Sequence, residues 1–297
     1  MRTLGKLFII FTALLALAVA FTWRHFTKSA PDAQSTGVSI GPPASNKSAQ
    51  HRTTNARMAT ASTSAPVADK AQAFQALKQR AKDGDAVAQR LLAQAYDACF
   101  VMNVDRQRIM TGFHQQLRTM TNPEHAATLE RLARARAEQC DAMDDGDFVP
   151  RELVIGWFAR AAENGDLPAQ AMSAAFQHKQ YDTASATRLL EDVVASGDPA
   201  AVYSLGSVLG GSLVDNMGEP YKSLVTGPTA SYAWILAGCR MGYDCGPDST
   251  EVGNMCLLSN RCLGESYEQM VFATTQTQQE RDELERHIQR VLDAVTP

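Results

Sequence analysis

Apolar residues recur along this chain at the spacing of one helix face. In the stretch opened by Asp85, the residues Ala88, Leu91, Leu92, Ala95 and Tyr96 share a stripe, while Gln89, Arg90 and Gln94 lie elsewhere. The same rhythm returns in Val154, Trp157, Phe158, Ala161 and Ala162, then in Ala169, Met172 and Phe176. It continues through Leu189, Leu190, Val193 and Val194, and through Ala201, Val202, Leu205, Val208 and Leu209. Two further helices, rich in Arg and Gln, are predicted over Asp105 to Met120 and Glu124 to Cys140. Near the end, Leu284, Ile288, Val291, Leu292 and Val295 form an apolar stripe within Gln276 to Val295, which suits a capping helix. No comparable segment alternates with period two, so the expected fold is all-α.

The stripes are punctuated by a recurring turn. Asp83-Gly84-Asp85-Ala86, Asn164-Gly165-Asp166-Leu167-Pro168 and Ser196-Gly197-Asp198-Pro199 each follow an alanine-rich helix. Glycine tolerates the left-handed conformation that ends a helix, and the following aspartate can cap the free amides of the next one. Pro168 and Pro199 then fall in a first turn, where a missing N–H costs nothing. A fourth turn is expected at Gly242, between Cys239 and Cys245. Paired helices repeated in this way imply an α/α solenoid of hairpins.

The pattern is absent from the first 68 residues. Arg2 and Lys6 precede an apolar run from Leu7 to Trp23, a stretch that enters a membrane. Ala18-Val19-Ala20 has the form a signal peptidase cleaves, whereas Trp23-Arg24 resembles the closing end of a spanning helix, so both anchor and signal peptide stay open. From Ser29 to Ala68, Ser, Thr, Ala, Pro, Gln and Asn dominate, and such a segment cannot bury enough surface to order itself. The expected organisation is a membrane segment over 1–28, a disordered tether over 29–68 and a helical repeat domain over 69–297.

Six cysteines, Cys99, Cys140, Cys239, Cys245, Cys256 and Cys262, form an even set suited to an oxidising compartment. The favoured pairing is Cys99 with Cys140 and each of the two close pairs within itself, among the many connectivities six cysteines allow. A four-cysteine zinc site is the rival, although five residues between ligands is looser than usual zinc spacing. With the apolar leader, the expected location is the inner membrane with the repeat domain in the periplasm, or soluble periplasm after cleavage near Ala20.

The stretch Trp157-Phe158-Ala159-Arg160-Ala161-Ala162-Glu163-Asn164-Gly165-Asp166-Leu167-Pro168-Ala169-Gln170 resembles the Sel-one-like repeat, a tetratricopeptide-type hairpin. Met172-Ser173 stands where that family usually has Leu-Gly, a pair that Leu205-Gly206 supplies in the next unit. The interval between Gly84 and Gly165 holds more than one ordinary hairpin, so the resemblance is interrupted there. Exported, cysteine-rich members of the family carry disulfides in comparable helix pairs, and some relatives have been associated with binding or cleaving β-lactams.

Candidate chemistry is sparse. The formal charge of −4 gives no basic excess for nucleic acid. His114, His125, His178 and His287 are each solitary, without the helical spacing that puts two imidazoles on one metal. No serine elbow, Ser-x-x-Lys pair or phosphate loop occurs. Asp141 to Glu152 follows calcium-loop grammar in part, with Asp141, Asp145, Gly146 and Glu152 in register, but Met143 and Pro150 break it, and a solvated loop is preferred. No catalytic residue, cofactor or metal is assigned. The expected function is an envelope adaptor binding a protein or peptide; the alternatives are a hydrolase of the β-lactam-binding kind and a structural spacer.

Overall fold

Left-handed glycines divide the folded chain into helical pairs. The computed structural model describes residues 67–176, 182–209, 217–259, 262 and 266–295, so the membrane run, almost all of the tether and His178 lie outside the described residues. The chain clusters into one unit over Met1–Arg57 and another over Met58–Pro297, and every described helix belongs to the second.

Helices α1 (Val67–Lys82) and α2 (Ala86–Val104) flank Gly84. Helix α1 thus starts two residues before the expected domain boundary at 69. Helices α3 (Arg106–Thr119) and α4 (Pro123–Asp141) follow, then a 3-10 turn (Asp144–Gly146). The pairs α5 (Arg151–Glu163) with α6 (Leu167–Phe176), and α7 (Thr183–Ser196) with α8 (Pro199–Val208), surround Gly165 and Gly197. The short α9 (Lys222–Val225), α10 (Ala230–Arg240), α11 (Thr250–Ser259), α12 (Tyr267–Thr274) and α13 (Gln278–Val295) complete an all-helical array, with no strand among the described residues. No helix among these residues is long and apolar enough to cross a membrane.

Packing runs from neighbour to neighbour: α1 on α2, α2 on α5, α5 on α6, α6 on α8, α8 on α10 and α10 on α13. Small residues bring these helices close, since Ala88, Ala161, Ala169, Ala201, Ala233 and Ala237 are all fully buried. Between them sit Leu92, Phe158, Leu205, Trp234 and Ile288, also fully buried, each contributing about 1.5–3 kcal/mol by leaving water. The tightest crossing is α8 against α10. A Cβ at Gly206 would lie 2.6 Å from the Ile235 backbone nitrogen, and one at Gly238 would lie 2.8 Å from that of Tyr203. Helix α13 lays Leu284, His287, Ile288, Val291 and Val295 on this end of the array.

Three disulfides hold the chain: Cys99–Cys140, Cys239–Cys245 and Cys256–Cys262, with Cα separations of 5.5, 5.6 and 4.5 Å. The first ties α4 to α2. The second closes the turn after α10 upon itself. The expected fourth hairpin differs here, because α11 does not return along α10 but packs against α4 and α12. Arg136 explains the detour: its Nη1 donates to the Ala98 carbonyl at 2.6 Å and to Asn254 Oδ1 at 3.3 Å, linking α4 to α2 and α11. Gly253 leaves room for that guanidinium, since a Cβ there would meet Arg136 Nη2 at 2.8 Å.

Candidate functional site

The Gly-Asp turns share one construction. Gly84 and Gly165 have φ of 94° and 89°, and the amides after them close back on the preceding helix, Asp85 N to Arg80 O at 3.1 Å and Asp166 N to Ala161 O at 2.9 Å. Each aspartate then accepts from the amide three residues on, Ala88 N at 3.0 Å and Ala169 N at 2.8 Å. The glutamine that follows also has a common task, because Gln89 Nε2 donates to the Ala81 carbonyl and Gln170 Nε2 to the Ala162 carbonyl, at 3.0 and 3.4 Å. At Gly197, φ is 58° and Asp198 Oδ1 accepts from Ala200 N at 2.8 Å, but Val202 stands where the glutamine would be. Gly242 keeps the closure, with φ 112° and Tyr243 N donating to Gly238 O at 2.9 Å, yet loses the cap: Asp244 accepts from Gly246 N, and Ser249 caps α11.

Neighbouring turns are joined by an ion pair. Arg90 Nε donates to Asp166 Oδ1 at 2.8 Å, with side chains only 10% and 3% exposed. Burial raises the Asp166 carboxyl above the usual carboxylate range, and Arg90 and the Ala169 amide oppose that rise. Asn164 Nδ2 donates to Gln89 Oε1 at 2.9 Å beside the pair. Gln89 and Arg90, off the apolar stripe, are therefore buried too. Helix α2 packs against α1, α5, α4 and α3, so a single-stripe reading captures only part of its buried surface.

A second polar cluster lies where α11 meets α8. The Tyr203 and Tyr243 rings stack with centroids 4.0 Å apart, and Tyr243 Oη donates to Glu251 Oε1 at 3.3 Å. Burial pushes the Glu251 carboxyl up, against the hydrogen bonds that Tyr203 and Tyr243 give it. Both phenols are raised too, burial first and the Glu251 charge second. These groups hold one another in a half-buried hydrogen-bonded seam, and no serine hydroxyl donates into it in any hydrogen bond of the described residues. Ser173, at the position where the resemblance expects glycine, is buried with its Oγ unpaired.

The remaining candidates are dispersed. His114 is exposed and His125 partly so, while His287 is buried with Nε2 2.9 Å from the Leu224 carbonyl and Nδ1 2.9 Å from Thr229 Oγ1. Along the calcium-like loop two of the carboxylates have cationic partners, Asp141 with Arg106 and Asp144 with Lys78 at 2.6 Å, and Asp144 also accepts from Tyr96 Oη at 2.7 Å. Among the described residues no group of His, Cys, Asp and Glu is arranged to hold a metal ion, and all six cysteines are bonded. Compared with family models, curated proteins and solved structures, the chain matches none.

Proposed function

We propose that this chain is an exported adaptor, built on a solenoid of Sel-one-like hairpins, that recruits a protein or peptide partner in the cell envelope. The observation that carries the reading is the shared turn: a left-handed glycine, a capping aspartate and a back-reaching glutamine at Gly84–Gln89 and again at Gly165–Gln170. A unit reused with its hydrogen bonds intact is the mark of repeat architecture, and stacked hairpins present long surfaces suited to proteins rather than to turnover of small molecules. Three disulfides support an oxidising compartment. The apolar run over 7–23 and the tether support a domain held near, but not against, a membrane.

The test is chemical crosslinking in intact cells at native expression, run beside labelling with a fluorescent penicillin. The adaptor reading expects a recurrent protein partner and no covalent penicillin adduct. Penicillin labelling without a partner would replace it with the hydrolase reading.

A further inference from the structure

The C-terminal end of α2 and the N-terminal end of α5 carry apolar side chains that the fold leaves uncovered. Phe148 is 53% exposed, Val104 58%, and Val101 and Leu153 are each 41% exposed. Phe100, half-buried, packs against Phe148 with ring centroids 5.9 Å apart. Helices α2 and α5 run antiparallel, since Gln89 at the start of one bonds Asn164 after the end of the other, so these five residues gather at one end of the pair. Apolar side chains exposed together and rimmed by polar residues mark interaction sites, whereas singly exposed ones do not.

The loop that presents Phe148 is braced on every side. Cys140 anchors its start to α2. Asp144 is held by Lys78, Tyr96 and Gln75. The Asp147 carbonyl accepts from Asn103 Nδ2 at 3.3 Å, and Val149 is buried. Within it Asp144 and Asp145 take φ of 46° and 59°, a left-handed conformation that costs non-glycine residues about 1 kcal/mol or more. Such bracing keeps Phe148 outward without an entropy loss on binding, which is what a docking anchor requires.

The rim of the patch is acidic. Asp145, Asp147 and Glu152 are exposed, and none has a cationic partner among the described residues. The nearby cations are already engaged, Arg106 by Asp141 and Asn103, and Arg151 by the Asp97 charge. An unpaired negative rim around an apolar centre repels acidic lipid surfaces and acidic peptides, and attracts the opposite pattern.

We propose that the Phe100, Val101, Val104, Phe148 and Leu153 patch docks a partner-protein segment whose bulky apolar side chains are flanked by lysines or arginines. The proposal rests on the adaptor reading and supplies the partner's chemistry. It is tested with a photo-crosslinking phenylalanine analogue at position 148 of the full chain in its native cells, beside the same analogue at Leu258, 57% exposed on α11. The crosslinked peptide is sequenced, and the yield is compared with a triple variant, D145K/D147K/E152K, whose thermal melt checks its folding.

The expected result is a crosslink at 148 to an apolar segment bordered by Lys or Arg, with yield falling at least fivefold in the charge-reversed chain. Crosslinks at 148 only to lipid, only to a second copy of this chain or only to an acidic segment would overturn the proposal, as would an unchanged yield in the triple variant. A protein partner captured at 258 and not at 148 would sink the patch and leave the adaptor reading standing. No protein captured at either position would count against both.

Discussion

Arg90 and Asp166 join the first hairpin to the second through a 2.8 Å ion pair that is almost sealed from water, while Asp166 also caps α6. One carboxylate thus starts the second helix of its own hairpin and ties that hairpin to α2. Removing Arg90 alone would strand a buried carboxylate, and Arg90→Met is expected to cost about 3–5 kcal/mol. Arg90→Met combined with Asp166→Asn, which keeps a cap acceptor, should cost less than the single change. Urea unfolding of the two variants checks the order.

The α8–α10 crossing depends on missing side chains. Gly206→Ala and Gly238→Ala would each push a Cβ inside 3 Å of backbone atoms and are expected to lose about 1–3 kcal/mol by overpacking, despite the better helix propensity of alanine. Gly156, helical in α5 with open space around it, predicts the opposite sign, a gain of about 0.5–1 kcal/mol for Gly156→Ala. Thermal melts of the three variants separate propensity from packing.

His287 makes the fold sensitive to mild acid. Burial holds its imidazole below the usual histidine range, with the nearby Arg290 charge adding to that and the Leu224 hydrogen bond opposing it. The folded chain therefore binds this proton less readily than the unfolded chain. Its contribution is complete above the ordinary value near 6.5 and is lost as pH falls through that value toward the lowered one. Between pH 7.5 and 5.5 the melting temperature should fall, and it should fall less in His287→Gln. Equal slopes in the two proteins would refute this assignment.

The disulfides should differ in worth by the loops they close. Cys99–Cys140 spans 41 residues and Cys239–Cys245 spans 6. Chain entropy then predicts losses of about 4 kcal/mol for Cys99→Ala/Cys140→Ala and about 2 kcal/mol for Cys239→Ala/Cys245→Ala. Denaturant midpoints of the two double variants test the ranking.

The helices on either side of Gly84, Gly165 and Gly197, together with α13, were legible in the sequence because apolar stripes at a fixed period run through them and a glycine marks the turn between partners. The long-range contacts were not. Nothing local marks Arg90 and Gln89, off the apolar stripe, as buried, and Arg136 gives no local sign that it will bridge α2, α4 and α11. Gly242 carries the same turn signal as the other glycines, but the disulfide beside it and Ser249 beyond it send the next helix elsewhere. Gly206 was visible as half of a Leu-Gly pair, whereas its use, a backbone approach with no room for a methyl group, belongs to the partner helix. The exposed Phe148 is silent in the sequence for the same reason: periodicity marks which residues are apolar, not which are left uncovered.

The adaptor reading stands on a folded domain that lives oxidised outside the cytoplasm. Its most direct test is the intact mass of the protein from its native cells, alkylated once without reduction and once after it. An oxidised domain predicts no alkylation of the six cysteines before reduction and six additions after it. Six additions in the unreduced sample would place the domain in a reducing compartment and contradict the adaptor reading at its base.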